Sequence, residues 1–286
     1  MTITISKAYI KTFEQNVIHL AQQSVSRLRN FVTEKNQTSS SNSWGRIASE
    51  DMASKASART ATPEADTEWS NRIATVATYH IGDTTEPEDS VQMAMDPNSA
   101  LVRTFAAAAN RQIDDLIIAA ASAVALDEAG ATPALPSASK IGDATTEFTF
   151  DLVTQVVENF LEQEVGPEIP KCFVVSPNCV RKMMNWTEFT SADFTNVKVL
   201  ATSGFLPNWM GFTWIVSNRL AVPAGLQRKC LAFSKQALGL LVAKDTWTEI
   251  AKDPSKSFLT RFYAALTMGC VRVQDEHITE VHILES

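Results

Sequence analysis

Four cysteines, four histidines and one adjacent pair of aspartates are the side chains of this 286-residue chain best suited to chemistry. Cys172, Cys179, Cys230 and Cys270 have neither CxxC spacing nor a neighbouring histidine pair, so they read as buried free thiols of a reducing compartment. A nucleophilic role for Cys172 or Cys179 needs a histidine partner, and only one distant in sequence is left to supply it. His19, His80, His277 and His282 lack metal-ligand spacing, and His80 beside Tyr79, at the end of a predicted strand, reads as structural. On a helix Asp114 and Asp115 point about 100° apart, too divergent for one acid–base pair, and they read as exposed solvating charges. Asp83, Glu86, Glu88, Asp89 and Asp96 form an acidic run without the spaced acids and glycine of a calcium loop, and read as a solvated face. The glycines never fall as GxGxxG or GxxxxGK[ST], and there is no GxSxG elbow and no HExxH. The tryptophans lack the basic interleaving of a single-strand-binding groove. No catalytic residue, metal or cofactor is therefore expected.

The composition is that of a soluble globular protein, at 45% hydrophobic and 20% charged residues, with length for one large domain or two. A net charge of −7 argues against a sequence-wide nucleic-acid or anionic-membrane binder. The longest small or apolar run, Leu116–Leu126, is too short to cross a bilayer, and the start of the chain lacks a signal-peptide core.

The elements that must position these side chains centre on a long helix, Asp96–Ala129. Asp96 suits its N-cap, Pro97 its first position and Gly130 its end, and Val102, Phe105, Ala109, Ile113, Leu116, Ile117, Ala120 and Val124 recur at helical spacing. Its length would be about 50 Å, with Arg111 free to pair with Asp115 one turn on. Residues 7–35 read as an amphipathic helix, with five basic residues against two acidic, docked on its own core or on a neighbouring subunit. Gln37–Ser43 is a polar linker. Between Trp44 and Trp69 there is little to bury beyond Ile47 and Met52, and a strand at Ile73–Ile81 completes a hairpin that would be marginal alone. Such a segment is either a disordered insertion or ordered by another chain. After the Ala131–Asp143 linker, the residues predict a helix at Leu152–Leu161 closed by Gly166-Pro167 and a strand at Cys172–Val175. A helix from Ser176-Pro177 to about Trp186 follows, then strands at Phe212–Ser217, Cys230–Phe233 and Leu238–Val242. Trp247–Ala251 and Ser257–Val273 flank a turn at Lys252–Ser255, the second arm reaching about 50 Å as a strand, although Leu259–Met268 also permits a helix. Ile278–Leu284 is the last strand.

The order of these elements resembles the major capsid protein of tailed bacteriophages, the Hong-Kong-97-like fold. The matching stretches are Ile81-Gly82-Asp83 through Asp96-Pro97-Asn98-Ser99, then Ala109-Asn110-Arg111-Gln112-Ile113-Asp114-Asp115-Leu116-Ile117-Ile118, and Phe173-Val174-Val175-Ser176-Pro177. Gly211-Phe212 with Ile215–Leu220, Lys235–Asp245 and Gly269-Cys270-Val271-Arg272-Val273 continue the match, which runs from about residue 44 onward. The resemblance implies an α+β fold with an N-terminal arm at 1–43 and an extended loop at 44–80. A peripheral domain at 81–130 and 246–272 would contain the spine helix 96–129, and an axial domain would span 131–245 and 273–286. It also implies a non-enzymatic shell protein of the virion, built in the host cytoplasm as hexamers and pentamers. Its partners would be other copies of itself, portal and scaffold proteins, double-stranded DNA held non-specifically and, where present, a decoration protein, with no membrane.

Candidates for contacts between subunits are Trp44, Arg46, Lys55, Arg59, Trp69, Arg72, Asp83, Glu86, Arg111, Asp114 and Asp115. The absence of a long region before the arm implies a separate scaffold, and the basic arm is expected to touch a neighbour or that scaffold. Some relatives cross-link loop to neighbour through a Lys–Asn bond. Lys55 lies in the corresponding loop, but no partner or acid catalyst is recognisable. Two other readings stay open: an encapsulin-type compartment shell gripping a cargo peptide, and an α+β enzyme whose residues are scattered through 150–245.

Overall fold

Why the long apolar periodicity stops where it does becomes clear from the chain's own distant contacts. The computed structural model describes residues 22–85 (except 53, 56 and 63), 97–186 (except 144), 208–223 and 227–285 (except 257). Most of the expected arm helix, Asp96 and Glu86 lie outside the described residues. In chain order the elements are β1 (Thr33–Asn36), β2 (Ser41–Ile47), β3 (Trp69–Thr75), β4 (Ala77–Thr85), α1 (Pro97–Ser122), β5 (Leu126–Asp127) and β6 (Lys140–Ile141). They continue with α2 (Phe150–Glu162), β7 (Lys171–Val175), α3 (Pro177–Met183), β8 (Asn208–Trp209), β9 (Phe212–Val216), β10 (Gln227–Ser234), β11 (Leu238–Asp253), β12 (Leu259–Arg272) and β13 (Ile278–Leu284). The strands form three sheets, in the orders β1-β11-β12-β4, β6-β13-β10-β7-β9-β8 and β2-β3-β5. Two compact units result. One takes its described residues from Met1–Ser26, Ala77–Ile113 and Lys244–Thr267, the other from Arg27–Val76, Asp114–Ala243 and Met268–Ser286.

The larger unit is built on the six-stranded sheet. Its inner strands read as unbroken apolar runs because both faces are covered: Cys172–Val175 of β7 and Cys230–Phe233 of β10 are fully buried. α2 starts at Thr149, whose hydroxyl accepts the Leu152 N–H, and buries Leu152, Val153, Val156 and Phe160 at helical spacing. Phe160 meets Phe212 edge to face, and Phe173 stacks on Trp214 with centroids 4.6 Å apart. The helix ends earlier than the expected Gly166-Pro167. Glu164 adopts φ +54°, and the Val165 N–H reaches back to the Phe160 carbonyl at 3.0 Å, closing a Schellman-type turn without glycine.

α1 stops at Ser122, about 39 Å long, instead of running to Ala129. Leu126 and Asp127 leave the helix to pair with Ile73 and Arg72 of β3. Arg272 takes the carbonyls of Ala123 and Pro133 at 2.7 and 2.9 Å. Gly130, at φ +80°, closes the tight turn after β5 rather than capping a helix. A sheet edge and a buried guanidinium outweigh local helix propensity here.

The segment 22–36, expected as the end of the arm helix, is extended, with a 3₁₀ turn at Arg29–Phe31 and then β1. Its residues from 27 onward dock on their own chain. Leu28 and Val32 are buried, and β1 runs parallel to β11 from Thr33↔Gly239 to Asn36↔Val242. Asp114 supplies the anchor: its carboxylate accepts the Arg27 and Leu28 N–H groups at 3.1–3.2 Å. That aspartate is buried, not a solvating charge, because backbone donors far away in sequence replace water.

The expected strand 73–81 is broken into β3 and β4 at Val76, and Leu238–Val242 fuses with Trp247–Ala251 into β11. Leu259–Met268 lies within strand β12, and the last strand is Ile278–Leu284 as read from sequence. In the smaller unit Phe105 and Leu101 of α1 pack on Phe262 and Ala264 of β12. Lys244 lies 3.8 Å over Trp247, which meets Tyr263 edge to face, and Tyr263 stacks on His80. Asn110 donates to the Ser24 carbonyl at 2.8 Å, and Arg111 to Gln22 Oε1 at 2.8 Å.

Candidate functional site

Among the described residues no group of three or more His, Cys, Asp or Glu side chains converges to hold a metal, and no helix is long and apolar enough to cross a membrane. The buried charges are instead structural. Glu280 is enclosed on β13, with Lys229 Nζ 2.7 Å and His282 Nε2 2.6 Å from the same carboxylate oxygen. Burial pushes this carboxyl up, but the hydrogen bond and charge of Lys229 outweigh it and hold the group below its ordinary value. A depressed carboxylate contributes stability above its unfolded pKa of about 4.3 and loses it as pH falls through the folded value. Lys229→Met is expected to cost about 2 kcal/mol at pH 7.5, toward the low side because the ammonium is partly solvated. The gap from wild type should shrink as pH falls below about 4.3 and Glu280 takes its proton, as urea unfolding on the two sides of that value will show.

A second buried cluster fixes the root of the β2–β3 hairpin. Arg272, with no side-chain exposure, donates through Nε to Asp275, and Arg72 donates to the other Asp275 oxygen at 3.0 Å. Arg46 stands 3.9 Å from Asp275 and 3.5 Å from Glu276. On the same face of the hairpin Trp44, paired with Arg72 across the strands, buries its ring among Ala74, Ala125, Leu241, Val271 and Val273. The ring sits directly on Gly239, where a Cβ would come within 2.5 Å of it, and Lys35 Nζ lies 3.9 Å above it.

Beyond the root the hairpin is bare. Its ladder runs from Ser41↔Thr75 to Ile47↔Trp69, and that last pair lies on the face opposite Trp44 and Arg72. Ile47 is 59% exposed, Trp69 78% and Met52 fully. Every described residue from 48 to 68 except Thr67 is exposed. In the other unit the β11–β12 turn has its own uncovered apolar pair, Ile250 and Phe258.

A family model described as phage capsid protein matches residues 5–285. The chain belongs to the phage capsid protein family. Solved structures agree on the fold of this capsid protein. One titled for the capsid of the cyanophage P-SCSP1u superimposes with a TM-score of 0.76 at 15% identity, covering 98% of this chain and 94% of the other. The cyanophage Pam1 capsid gives 0.74 at 11% identity, with 99% and 98% covered. A chain of Mycobacterium phage Che8 gives 0.73 at 16% identity, with 94% and 95% covered. No curated protein matches significantly by sequence. The capsid protein is thus a structural component of the virion shell, with the mixed α+β fold the resemblance implied, and the enzyme reading is set aside.

Within the capsid protein the contact candidates sort by burial. Trp44, Arg72 and Asp114 are buried in their own chain, so their side chains are committed to intramolecular partners. Arg46 is partly buried against Asp275 and Glu276. Arg111 binds Gln22 and the Gln23 carbonyl rather than Asp115, which makes a two-point ion pair with Arg219. Lys55, Arg59, Trp69 and Asp83 are exposed, and Glu86 lies outside the described residues. Asp275, Arg272 and Glu280 were not singled out from sequence. For Arg272 and Glu280 the signal was a charge set inside an apolar strand, in Val271-Arg272-Val273 and Ile278–Leu284; Asp275 lies in the polar turn between them and carried none.

Proposed function

We propose that the chain is the major capsid protein of a tailed bacteriophage, assembling as hexamers and pentamers into an icosahedral shell around double-stranded DNA. One observation carries the reading: a hairpin rooted in its own core extends residues 47–69, with Ile47, Met52 and Trp69 uncovered among the described residues. Neighbouring copies supply that covering, and Lys55, Arg59, Trp69 and Asp83 are the candidates left at the surface for contacts between subunits. Covering about 400 Å² of apolar surface per neighbour contributes roughly 10 kcal/mol before ordering costs. Head-to-tail contacts of this kind stay finite because they close into rings. The net charge of −7 suits a wall that holds DNA without gripping its phosphates. Scaffold, portal and decoration proteins, assembly in the host cytoplasm and later maturation of the head belong to the same reading.

The test is expression of the full chain and of a form with residues 50–66 replaced by a two-residue turn. Wild type should sediment as megadalton particles visible as closed shells by electron microscopy. The shortened chain should keep its far-ultraviolet circular dichroism and lose the shells. Closed shells from the shortened chain, or a wild type that stays a small oligomer, would contradict the proposal. Shells filled with protein cargo instead of nucleic acid would favour the encapsulin reading.

A further inference from the structure

Behind the N-terminus of α3, two of the four cysteines lie in contact. Cys179 Sγ and Cys230 Sγ are 3.8 Å apart, both sulfurs in residues at most 1% exposed. Ser176 caps α3 by accepting the Cys179 N–H, and its hydroxyl also lies 3.3 Å from Cys179 Sγ. A disulfide bond is about 2.05 Å long, so closure takes only about 1.8 Å of combined sulfur movement. The other two cysteines are placed differently. Cys172 stands opposite Phe233, whereas Cys230 shares its face with Ala232, opposite Phe173, so Cys172 and Cys230 point to opposite faces of the sheet. Cys270 lies on β12, in another sheet.

We infer that Cys179 and Cys230 are a dithiol that oxidation converts to an intrachain disulfide, stapling α3 to the central strand β10. The polarity of the pair fits this chemistry. The Cys230 S–H, donated to Cys179, holds the Cys179 thiol below its ordinary value, with the Ser176 hydroxyl adding to the effect against burial. Cys230 itself is pushed well up and keeps its proton. Burial raises Cys172 and pushes Cys270 up to about 12, so neither competes as a thiolate. With an azo oxidant such as diamide, the Cys179 thiolate adds to the N=N bond, and the Cys230 sulfur then attacks Cys179 Sγ and expels the hydrazine. Two electrons and two protons pass from the thiols to the two nitrogens. Because both sulfurs are enclosed, reaction follows local opening and is slow in the folded protein.

The experiment treats the full-length protein with diamide, quenches it, and counts thiols in denaturant. The count should fall from four to two. Proteolytic mapping should find one peptide pair, joined through Cys179 and Cys230 and lighter by two hydrogens. The thermal midpoint should rise and return with dithiothreitol. C179S should keep all three of its thiols under the same treatment, and wild-type mapping decides the matter should that variant fold poorly. Four thiols remaining, a linkage through Cys172 or Cys270, a bond between two chains, or a linked pair with no rise in midpoint would each overturn the inference.

Discussion

Asp275→Ala is expected to destabilise the protein by about 3–5 kcal/mol, the usual loss when one side of a buried ion pair is removed. The reason lies in what stays behind. Asp275 is the carboxylate shared by Arg272, whose side chain has no exposure, and by Arg72, which has 6%. Without it two guanidinium groups remain buried, and the carbonyls of Ala123 and Pro133 answer only one of them. Urea unfolding of the full chain measures the loss. A cycle with Arg72→Met tells the cause: the double variant should recover part of the stability, because it removes one of the stranded charges. A loss below about 1 kcal/mol would mean that water or Glu276 takes over the role.

Trp44→Ala should cost about 3–5 kcal/mol, in the range for truncating a buried aromatic. Its effect should also be local. Trp44 is the one buried side chain of β2, so its removal takes the apolar anchor from the hairpin while α2 and the six-stranded sheet keep their own core. Hydrogen exchange should show protection lost over 41–47 and 69–75 and retained in β7 and β10. Gly239→Ala offers the converse, placing a methyl where the ring lies. It should destabilise less, by about 1–3 kcal/mol, and add little once Trp44 is already alanine, since the added methyl then has no ring to clash with.

These two sites also show what could and could not be read from sequence. Trp44 and Trp69 stand in similar polar surroundings in the chain, yet one is buried and the other is 78% exposed. What separates them is Gly239, a partner that no local pattern names. Asp114 and Asp115 are neighbours in sequence, but one meets the backbone of Arg27 and Leu28 and the other meets Arg219. By contrast α2 was legible because its burial repeats at helical spacing, and β13 because it is a short run rich in β-branched residues; neither needs outside information. The bareness of 48–68 was legible for the same reason: a stretch with almost nothing to bury declares itself in composition.

The same hairpin has a mechanical side. A ladder of seven cross-strand pairs fixed at Trp44 and Arg72 and free past Trp69 leaves a lever roughly 10 Å long beyond the anchor, at about 3.3 Å per residue. Over that arm a sideways shift of about 2 Å at the far end turns the ribbon by about 11°. Such a tilt is absorbed by ordinary strand twist without parting a rung. One polypeptide could therefore meet neighbours set at slightly different dihedral angles, as flatter and more sharply bent parts of a closed surface require, while its interior stays the same.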